Sequence, residues 1–403
     1  MTKVILKKGR ESSIRRFHPW VFSGAIAQII GNPAEGDVVG VFSSNGEFLA
    51  SGHYQVGSIA VRILSFISDA LSPDFYELAI RRALQLRIDA GLADEPGEKT
   101  VSDTDCYRLV HGEGDNLPGL VIDYYGGVCV IQAHSAGMFR AKKQISEALR
   151  KIYGETLNAI YDKSSGTAPF KAGLDLVDGY LFRKDGFDDD EQVVRENGYK
   201  FIVNWTEGQK TGFFLDQREN RAQVSRYSKG RNVLNLFCYT GGFSIYALGS
   251  GALHVDSVDS SAKAIGLLDK NVQLNGFDKN CSTGFCSDAI DFLRESPEGK
   301  YDLIIVDPPA FAKHRGALDN ALRAYQRLNA EAISKVAQGG LIFTFSCSQV
   351  VTKEAFALAV FSAAAQTGRS VRILDRLNQP ADHPVSIYHP EGEYLKGLFL
   401  YVE

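Results

Sequence analysis

Two residues in the C-terminal half carry the types and setting needed for group-transfer chemistry: Cys347, in Ser346-Cys347-Ser348, and Asp307, in Asp307-Pro308-Pro309-Ala310-Phe311. Carbon-5 of a pyrimidine is a poor nucleophile. A thiolate that adds to carbon-6 makes an enamine-like ring whose carbon-5 can attack an electrophilic methyl group, dividing one hard step into easier ones. A free thiol, with a pKa of about 8.5, is only a few per cent ionised near neutrality, so such a site must assist it. A lone cysteine on a strand is ordinarily a packed core residue. Cys347 is set apart because it follows the Asp307 strand by one βα step, which brings both groups to neighbouring strand ends. Two prolines neither continue a helix nor donate hydrogen bonds, so the chain leaves Asp307 in a stiff, extended course. Its carboxylate is then aimed into a strand-end crevice, where it can bond the Watson–Crick edge of a base. The plainer reading is a capping Asp in a tight turn. Enzymes that methylate exocyclic amines typically carry an aromatic directly after the two prolines. Here Ala310 holds that place and Phe311 comes one later, which weakens an adenine-amine reading.

A ligand site lies upstream. Asn235-Leu236-Phe237-Cys238-Tyr239-Thr240-Gly241-Gly242-Phe243 reads as a strand running into a glycine turn, and the next strand ends at Asp259. A carboxylate there suits a ribose diol, because it can accept both hydroxyl protons. The GxGxxG pattern that brings a helix N-terminus to a pyrophosphate is missing, which disfavours a nicotinamide or flavin enzyme. S-adenosylmethionine has a ribose and no phosphate, and fits. Asp288 falls at the end of a third strand, within reach of an adenine amino group. It reads equally well as the N-cap of a helix over 289–294.

The elements that must hold these residues alternate. Near-continuous apolar strands at 233–237, 255–259, 302–307 and 340–346 are separated by helices, including 243–249 and one reaching about 275, as in a parallel sheet covered on both faces. The first 70 residues read as all-β. A helix over 74–90 follows, with Ser72 as N-cap, Pro73 in the first turn and Gly91 past the end. Strands at 106–110, 120–123, 128–133 and 159–162, with a helix over 138–153, form a middle region. The acidic stretch 184–191 reads as a solvated connector. The expected division is 1–70, 71–185 and 186–403. With 403 residues, 44% hydrophobic and 23% charged, the chain is long enough for two or three globular domains. Net charge is −4, yet the first twenty residues carry Lys3, Lys7, Lys8, Arg10, Arg15 and Arg16 against Glu11 alone. Such a face either meets phosphate or is simply solvated. The six cysteines form no CxxC pair and no His sits at zinc-finger spacing, so no metal is expected and free thiols in a reducing compartment are. The N-terminus lacks a secretory core and no long apolar run occurs, so the expected location is the cytoplasm, with no membrane span.

These motifs together resemble the bacterial large-subunit (23S) ribosomal RNA cytosine carbon-5 methyltransferases with an N-terminal PUA domain. The resemblance covers essentially the whole chain. It rests on His18-Pro19-Trp20-Val21-Phe22-Ser23-Gly24, on Gly52-His53-Tyr54 through Val61-Arg62-Ile63-Leu64, and on Asn116-Leu117-Pro118-Gly119-Leu120-Val121-Ile122-Asp123. Its most specific stretch is Gly208-Gln209-Lys210-Thr211-Gly212-Phe213-Phe214-Leu215-Asp216-Gln217-Arg218. Asn235 to Phe243, Asp307 to Phe311, Phe345 to Ser348, Asp382-His383-Pro384 and Glu393-Tyr394-Leu395-Lys396-Gly397 complete it. The resemblance implies an N-terminal β-barrel PUA domain that binds RNA, a small α+β central domain and a Rossmann-like class I methyltransferase domain. It implies Cys347 as nucleophile and Asp307 as the group that engages the cytosine ring at nitrogen 3. It places Phe213, Asp216, Asn235, Phe237, Thr240, Gly241, Gly242, Asp259, Ser260, Asp288, Ala289 and Asp307 around S-adenosylmethionine, with Lys210 there or on RNA phosphate. Many RNA cytosine methyltransferases carry a second cysteine just after the motif proline; this chain has Ala310 there, and the branch it resembles also has only one cysteine. A neighbouring branch methylates guanine and lacks the cysteine that Cys347 supplies. Similar proteins are often homodimers. The competing readings are a same-fold methyltransferase acting on another base or on transfer RNA, a non-catalytic RNA-binding assembly protein, and, more distantly, a dehydrogenase.

Overall fold

The computed structural model describes residues 2–67, 70–98, 102–169 and 172–403. Contacts divide the chain into two compact units. The first takes Met1–Asn197, Val203–Leu215 and Ala381–Gly392; the second takes Gly198–Ile202, Asp216–Pro380 and Glu393–Glu403.

Within the first unit, six strands form one sheet in the spatial order Trp20–Phe22, Ile59–Ser65, Phe48–Tyr54, Val38–Phe42, Lys3–Leu6, Ile26–Ile30. The two outermost strands are consecutive in sequence, joined only by the turn Ser23–Ala25. A flat sheet would set its edge strands about 24 Å apart, whereas the four residue steps from Phe22 to Ile26 reach at most about 14 Å. The sheet must therefore curl around its own core of Val4, Leu6, Val39, Val41, Val61 and Ile63. A separate core lies behind a second sheet, ordered Gly179–Arg183, Ala159–Asp162, Val128–Ala133, Leu120–Tyr125, Cys106–His111. Helices Phe75–Asp89 and Lys142–Tyr153 pack against each other and bury Ile80, Leu84, Ile145 and Leu149 in that core.

Two sequence expectations need correction here. The helix expected from residue 74 starts at Phe75. Asp74 occupies the N-cap without a side-chain hydrogen bond, because Ser72 to Asp74 form a turn closed by Phe75 N–H donating to the Ser72 carbonyl at 3.1 Å. The single helix expected over 138–153 is bent into Ala136–Arg140 and Lys142–Tyr153, with Ala141 at ψ −2° between them. Backbone bonds from Ala141 to Gly137 and from Ile145 to Ala141 persist across the bend.

The segment Ala381–Gly392 is fastened into the first unit by Arg87, whose side chain is fully buried. Its guanidinium makes two bonds to Asp115, at 2.6 and 2.8 Å, and donates to the backbone carbonyls of Arg108 and Asp382, both at 2.7 Å. In return the Asp382 carboxylate accepts from Arg108 N–H at 2.9 Å.

The second unit holds a seven-stranded sheet, whose strands we number β1 (Asn232–Leu236), β2 (His254–Asp259), β3 (Ser282–Cys286), β4 (Tyr301–Val306), β5 (Val336–Ser346), β6 (Val371–Leu377) and β7 (Lys396–Val402). Their order is β3-β2-β1-β4-β5-β7-β6. The first five are parallel, connected by helices α1 (Gly242–Gly249), α2 (Ala262–Leu274), α3 (Ala289–Glu295) and α4 (Leu318–Lys335). The expectation of a purely parallel sheet fails at one edge: β7 inserts antiparallel between β5 and β6. An antiparallel neighbour needs no crossover helix, so the chain's last strand can close the sheet directly.

Register then sets the site. Leu236 on β1 pairs with Val258 on β2 and with Val306 on β4, so Phe237, Asp259 and Asp307 all emerge one residue past a shared row. Val306 in turn pairs with Thr344 on β5, three residues before Cys347. Strand order reverses between β1 and β4, which is where doubly wound sheets open their ligand crevice.

Replacing Arg87 by Ala leaves the Asp115 carboxylate buried without its partner. This is expected to cost about 3–5 kcal/mol, seen as an earlier urea midpoint for a fluorescence change in the first unit; an unmoved midpoint would show the bridge to be neutral.

Candidate active site

The turn after β1 has a constrained backbone. Phe237 and Tyr239 adopt φ of 58° and 49°, and Gly241 follows at 83°. Positive φ is costly for bulky residues and survives only where the surroundings enforce it. One enforcing bond is visible: Tyr239 N–H donates to Asp259 Oδ2 at 2.9 Å, while Asp259 Oδ1 accepts from Ser261 N–H at 2.9 Å. The carboxylate expected at the ribose is thus oriented by backbone on both oxygens, each keeping a lone pair for a hydroxyl. A side chain at Gly241 is excluded, since a Cβ would stand 2.2 Å from Leu268 Cδ1. Gly242 begins α1, with its Cβ position 3.1 Å from Arg221 Cδ.

Behind the turn, Asn235 Nδ2 donates to Ser244 Oγ at 2.8 Å, and Ser244 shares a 2.7 Å bond with Ser257. Asn235 Oδ1, Thr240 Oγ1 and Asp216 Oδ1 are buried polar atoms without a hydrogen-bond partner in the protein. Buried polar groups are ordinarily satisfied, so orphans gathered near one strand end fit a polar ligand such as the ribose and amino-acid parts of S-adenosylmethionine. Ser260 is exposed beside Asp259, and its carbonyl accepts from the Cys286 thiol at 3.5 Å. Asp288 does cap α3: its Oδ1 accepts from Ile290 N–H at 2.8 Å and Asp291 N–H at 3.1 Å. Ala289, the first residue of that helix, is buried. Capping occupies one carboxylate oxygen, which leaves the other for the adenine role.

Asp307 is half-buried just beyond β4. Burial pushes its carboxyl up to about 7, with the Asp216 carboxylate raising it further. A hydrogen bond from the Gln217 side chain and the charge of Arg221 oppose the rise. Asp216 itself accepts from Tyr394 Oη at 2.7 Å. A carboxylic acid that keeps its proton near neutrality can donate a hydrogen bond as well as accept one.

Cys347 is half-buried past the end of β5 and forms no disulfide. The residues on either side are pinned: Ser346 Oγ donates to Tyr325 Oη at 2.9 Å, and Ser348 Oγ donates to the Ala312 carbonyl at 2.6 Å. The second bond ties the cysteine turn to the loop that follows the two prolines. Tyr325, fully buried on α4, feels the charges of both Cys347 and Asp307, so all three groups share one electrostatic neighbourhood; burial pushes its phenol up to about 12. Of the other cysteines, Cys106, Cys129 and Cys238 are buried, Cys281 is partly buried and Cys286 is exposed. Burial pushes the Cys129 and Cys238 thiols well up, which keeps them inert.

Lys210 and Phe213 belong to the first unit. Their segment is held by Thr211, which donates to Asp123 Oδ2 at 2.6 Å and bonds Tyr125 Oη at 2.9 Å. Gly212, at φ 126°, fits against the Asn204 carbonyl, 2.9 Å from where a Cβ would sit. Phe213 is buried and Lys210 exposed, at φ 54°. Trp20 is partly buried within the first unit, its Nε1 donating to Glu113 at 2.9 Å and its ring 4.3 Å from that of His389. The sequence reading gave no role to Gln217, Tyr325 or Lys396. Lys396 sits in the quoted Glu393-Tyr394-Leu395-Lys396-Gly397, but nothing in its spacing reveals that β7 lies beside β5.

This sheet, with polar groups at its β1/β4 reversal, lies in the part of the chain that matches the S-adenosylmethionine-dependent methyltransferases. Residues 180–397 match the family model for S-adenosylmethionine-dependent methyltransferases, and residues 4–66 match a PUA-like domain. The chain belongs to the family of ribosomal RNA large subunit methyltransferase I. It is 39% identical to the protein of that name from Aeromonas hydrophila, 40% to that from Pseudoalteromonas atlantica and 37% to that from Shigella dysenteriae, over 98% of each chain. Two solved structures share the fold over the full length of both chains. One, described as a SAM-dependent methyltransferase from Streptococcus mutans, aligns with a TM-score of 0.81 at 22% identity. The other, described as a methyltransferase complexed with SAH, aligns with a TM-score of 0.83 at 23% identity. The cofactor is S-adenosylmethionine. No helix among the described residues is long and apolar enough to cross a membrane.

The Asp307 carboxyl has a sign to test. Its proton affinity is higher folded than unfolded, so the native state binds more protons between about pH 4 and pH 7 and stability falls as pH rises through that window. Asp307→Asn removes this cost. The variant's gain in unfolding free energy over the wild type is expected to be larger at about pH 8 than at about pH 5, by on the order of 1–2 kcal/mol after allowing for partial exposure. An equal difference at both pH values would contradict the shift.

Proposed function

We propose that this chain methylates carbon-5 of a cytosine in large-subunit ribosomal RNA through a covalent bond between the Cys347 sulfur and carbon-6 of the ring. The observation that carries this reading is the shared neighbourhood of Cys347 and Asp307, whose carboxyl burial raises to about 7, at the ends of adjacent strands β4 and β5. The curated relatives' name supplies the RNA; the pair supplies the atom. A group that holds its proton near neutrality can bond ring nitrogen 3 and take up the negative charge that develops when sulfur adds to carbon-6. The sulfur–carbon bond forms as the carbon-5/carbon-6 double bond gives its electrons to the ring, and carbon-5 becomes nucleophilic. S-adenosylmethionine, when bound, would supply the methyl group: carbon-5 takes the carbon, the methyl–sulfonium bond breaks and S-adenosylhomocysteine leaves with that electron pair. Loss of the carbon-5 proton to a base then restores the double bond and expels the thiolate.

The same reading assigns the residues that hold the cofactor. Asp259 with Ser260 takes the ribose, Asp288 with Ala289 the adenine, and Asn235, Thr240 and Asp216 the polar remainder. Phe237, Gly241 and Gly242 shape the turn, and Lys210 and Phe213 complete the set. It divides the chain into an RNA-binding PUA domain at 1–70, a central domain at 71–185 and a catalytic domain at 186–403, working in the cytoplasm. The basic first twenty residues meet RNA phosphate, which supplies affinity and register. The target base leaves its stack to reach Cys347.

Cys347→Ala is expected to abolish methyl transfer while S-adenosylmethionine binding, followed by calorimetry, stays within about threefold. In RNA from a strain lacking the gene, mass spectrometry is expected to show 5-methylcytidine lost at one large-subunit position. Full activity of the alanine variant would remove the covalent step; unchanged 5-methylcytidine would remove the cytosine.

A further inference from the structure

We infer that Lys396 is a positioning residue for the Cys347 thiolate, holding the turn that presents the sulfur and lending it a positive charge. The inference rests on the reading of Cys347 as nucleophile and adds what makes that thiol ionise. Lys396 opens β7, directly opposite Ser346 in the antiparallel β5/β7 pairing and therefore beside Cys347. Its side chain is buried. Nζ donates to the Ser348 carbonyl at 2.5 Å and to the Val351 carbonyl at 2.7 Å, so the backbone immediately after Cys347 is wrapped around the ammonium. A lysine drawn into a protein interior and satisfied by neutral carbonyls retains an uncompensated charge, and such a charge favours ionisation of a neighbouring thiol.

The facing groups support the pairing. Cys347 and Lys396 lie in each other's field, and the sulfur favours the charged lysine. Burial is the main cause that lowers the Lys396 ammonium to about 8, with Cys347 and Glu393 opposing and Lys353 assisting the decrease; Glu393 and Lys353 are occupied with each other in an ion pair. Cys347 and Asp307 both lie within the field of the Tyr325 hydroxyl, which is neutral in this range. Lys396 is thus the only cation among the facing groups named here that is buried, and near neutrality it is mostly protonated. Sulfur and amine titrate as a coupled pair: a proton lost by the thiol is one the amine can keep.

The test reads the thiol itself, without methyl transfer. Cys347 is alkylated with iodoacetamide and followed on its own peptide by mass spectrometry, and the rate at about pH 8.5 is divided by the rate at about pH 7. A free thiol with a pKa of about 8.5 gives a ratio of about 16, whatever its accessibility. An ion-paired thiol, already partly ionised at the lower pH, is expected to give less than about 5 in the wild-type protein. Lys396→Met is expected to slow alkylation at about pH 7 by about tenfold and raise the ratio towards 16, while Lys396→Arg, which keeps the charge, stays within about threefold of the wild type. S-adenosylmethionine binding reports that the variants are folded. A wild-type ratio of about 16 or more overturns the inference without recourse to any variant, as does a folded Lys396→Met whose ratio is unchanged. Failure of the nucleophile reading looks different: Cys347→Ala then keeps its activity whatever the alkylation rates show.

Discussion

The reversal of strand order between β1 and β4 is the constraint on which the chemistry of this protein depends. Parallel strands on both sides of that point send their crossover chains in opposite directions, so the connections part at the carboxyl ends there. Pairing of Leu236 with both Val258 and Val306 brings Phe237, Asp259 and Asp307 out of the sheet at one level. A slip of one residue in either pairing would turn a carboxylate from the crevice to the other face. The buried apolar strands that fix the register, with Leu234, Leu236, Val258, Ile304 and Val306 packed in one cluster, are therefore as much part of the site as its polar groups.

That crevice asks two opposed things of one small volume. In the proposed mechanism Asp307 acts with its proton on and Cys347 with its proton off. Burial beside Asp216 accomplishes the first, since a second negative charge in a partly desolvated space is costly. The second needs positive charge near the sulfur, and β7 is the strand that brings a lysine there. Its antiparallel insertion next to β5 gives a topological departure from a purely parallel sheet an electrostatic consequence. The hydroxyls of Ser346 and Ser348 are spent on Tyr325 and on the Ala312 carbonyl, so the sulfur between them is the turn's one reactive atom.

The first unit is built on a different principle. It holds separate cores behind its two sheets, and it gains a distant segment of chain, Ala381–Gly392, by satisfying a buried guanidinium. Arg87 reaches Asp115, Arg108 and Asp382 at once, which ties together a strand, a short helical turn and a distant segment through one buried charge. A bidentate bridge of this kind contributes more to specifying one arrangement than to net stability.

Much of this was legible in the residues alone. The alternation of apolar runs and helices, the glycine pair after Asn235, the acid at 259, the two prolines after Asp307 and the lone Cys347 mark the catalytic fold and its strand ends, because hydrophobic periodicity and proline or glycine punctuation act locally along the chain. Local signals also erred where backbone choice depends on neighbours, as at Ser72 and at Ala141. Other features exist only through tertiary structure. How strongly Asp307 holds a proton is set first by its burial and then by Asp216, Gln217 and Arg221, some ninety residues away in sequence. The place of Lys396 beside Cys347 follows from a strand entering the sheet out of sequence order. Desolvation and charge–charge interaction act through space, and a sequence states which groups are present without stating which of them share a low-dielectric neighbourhood.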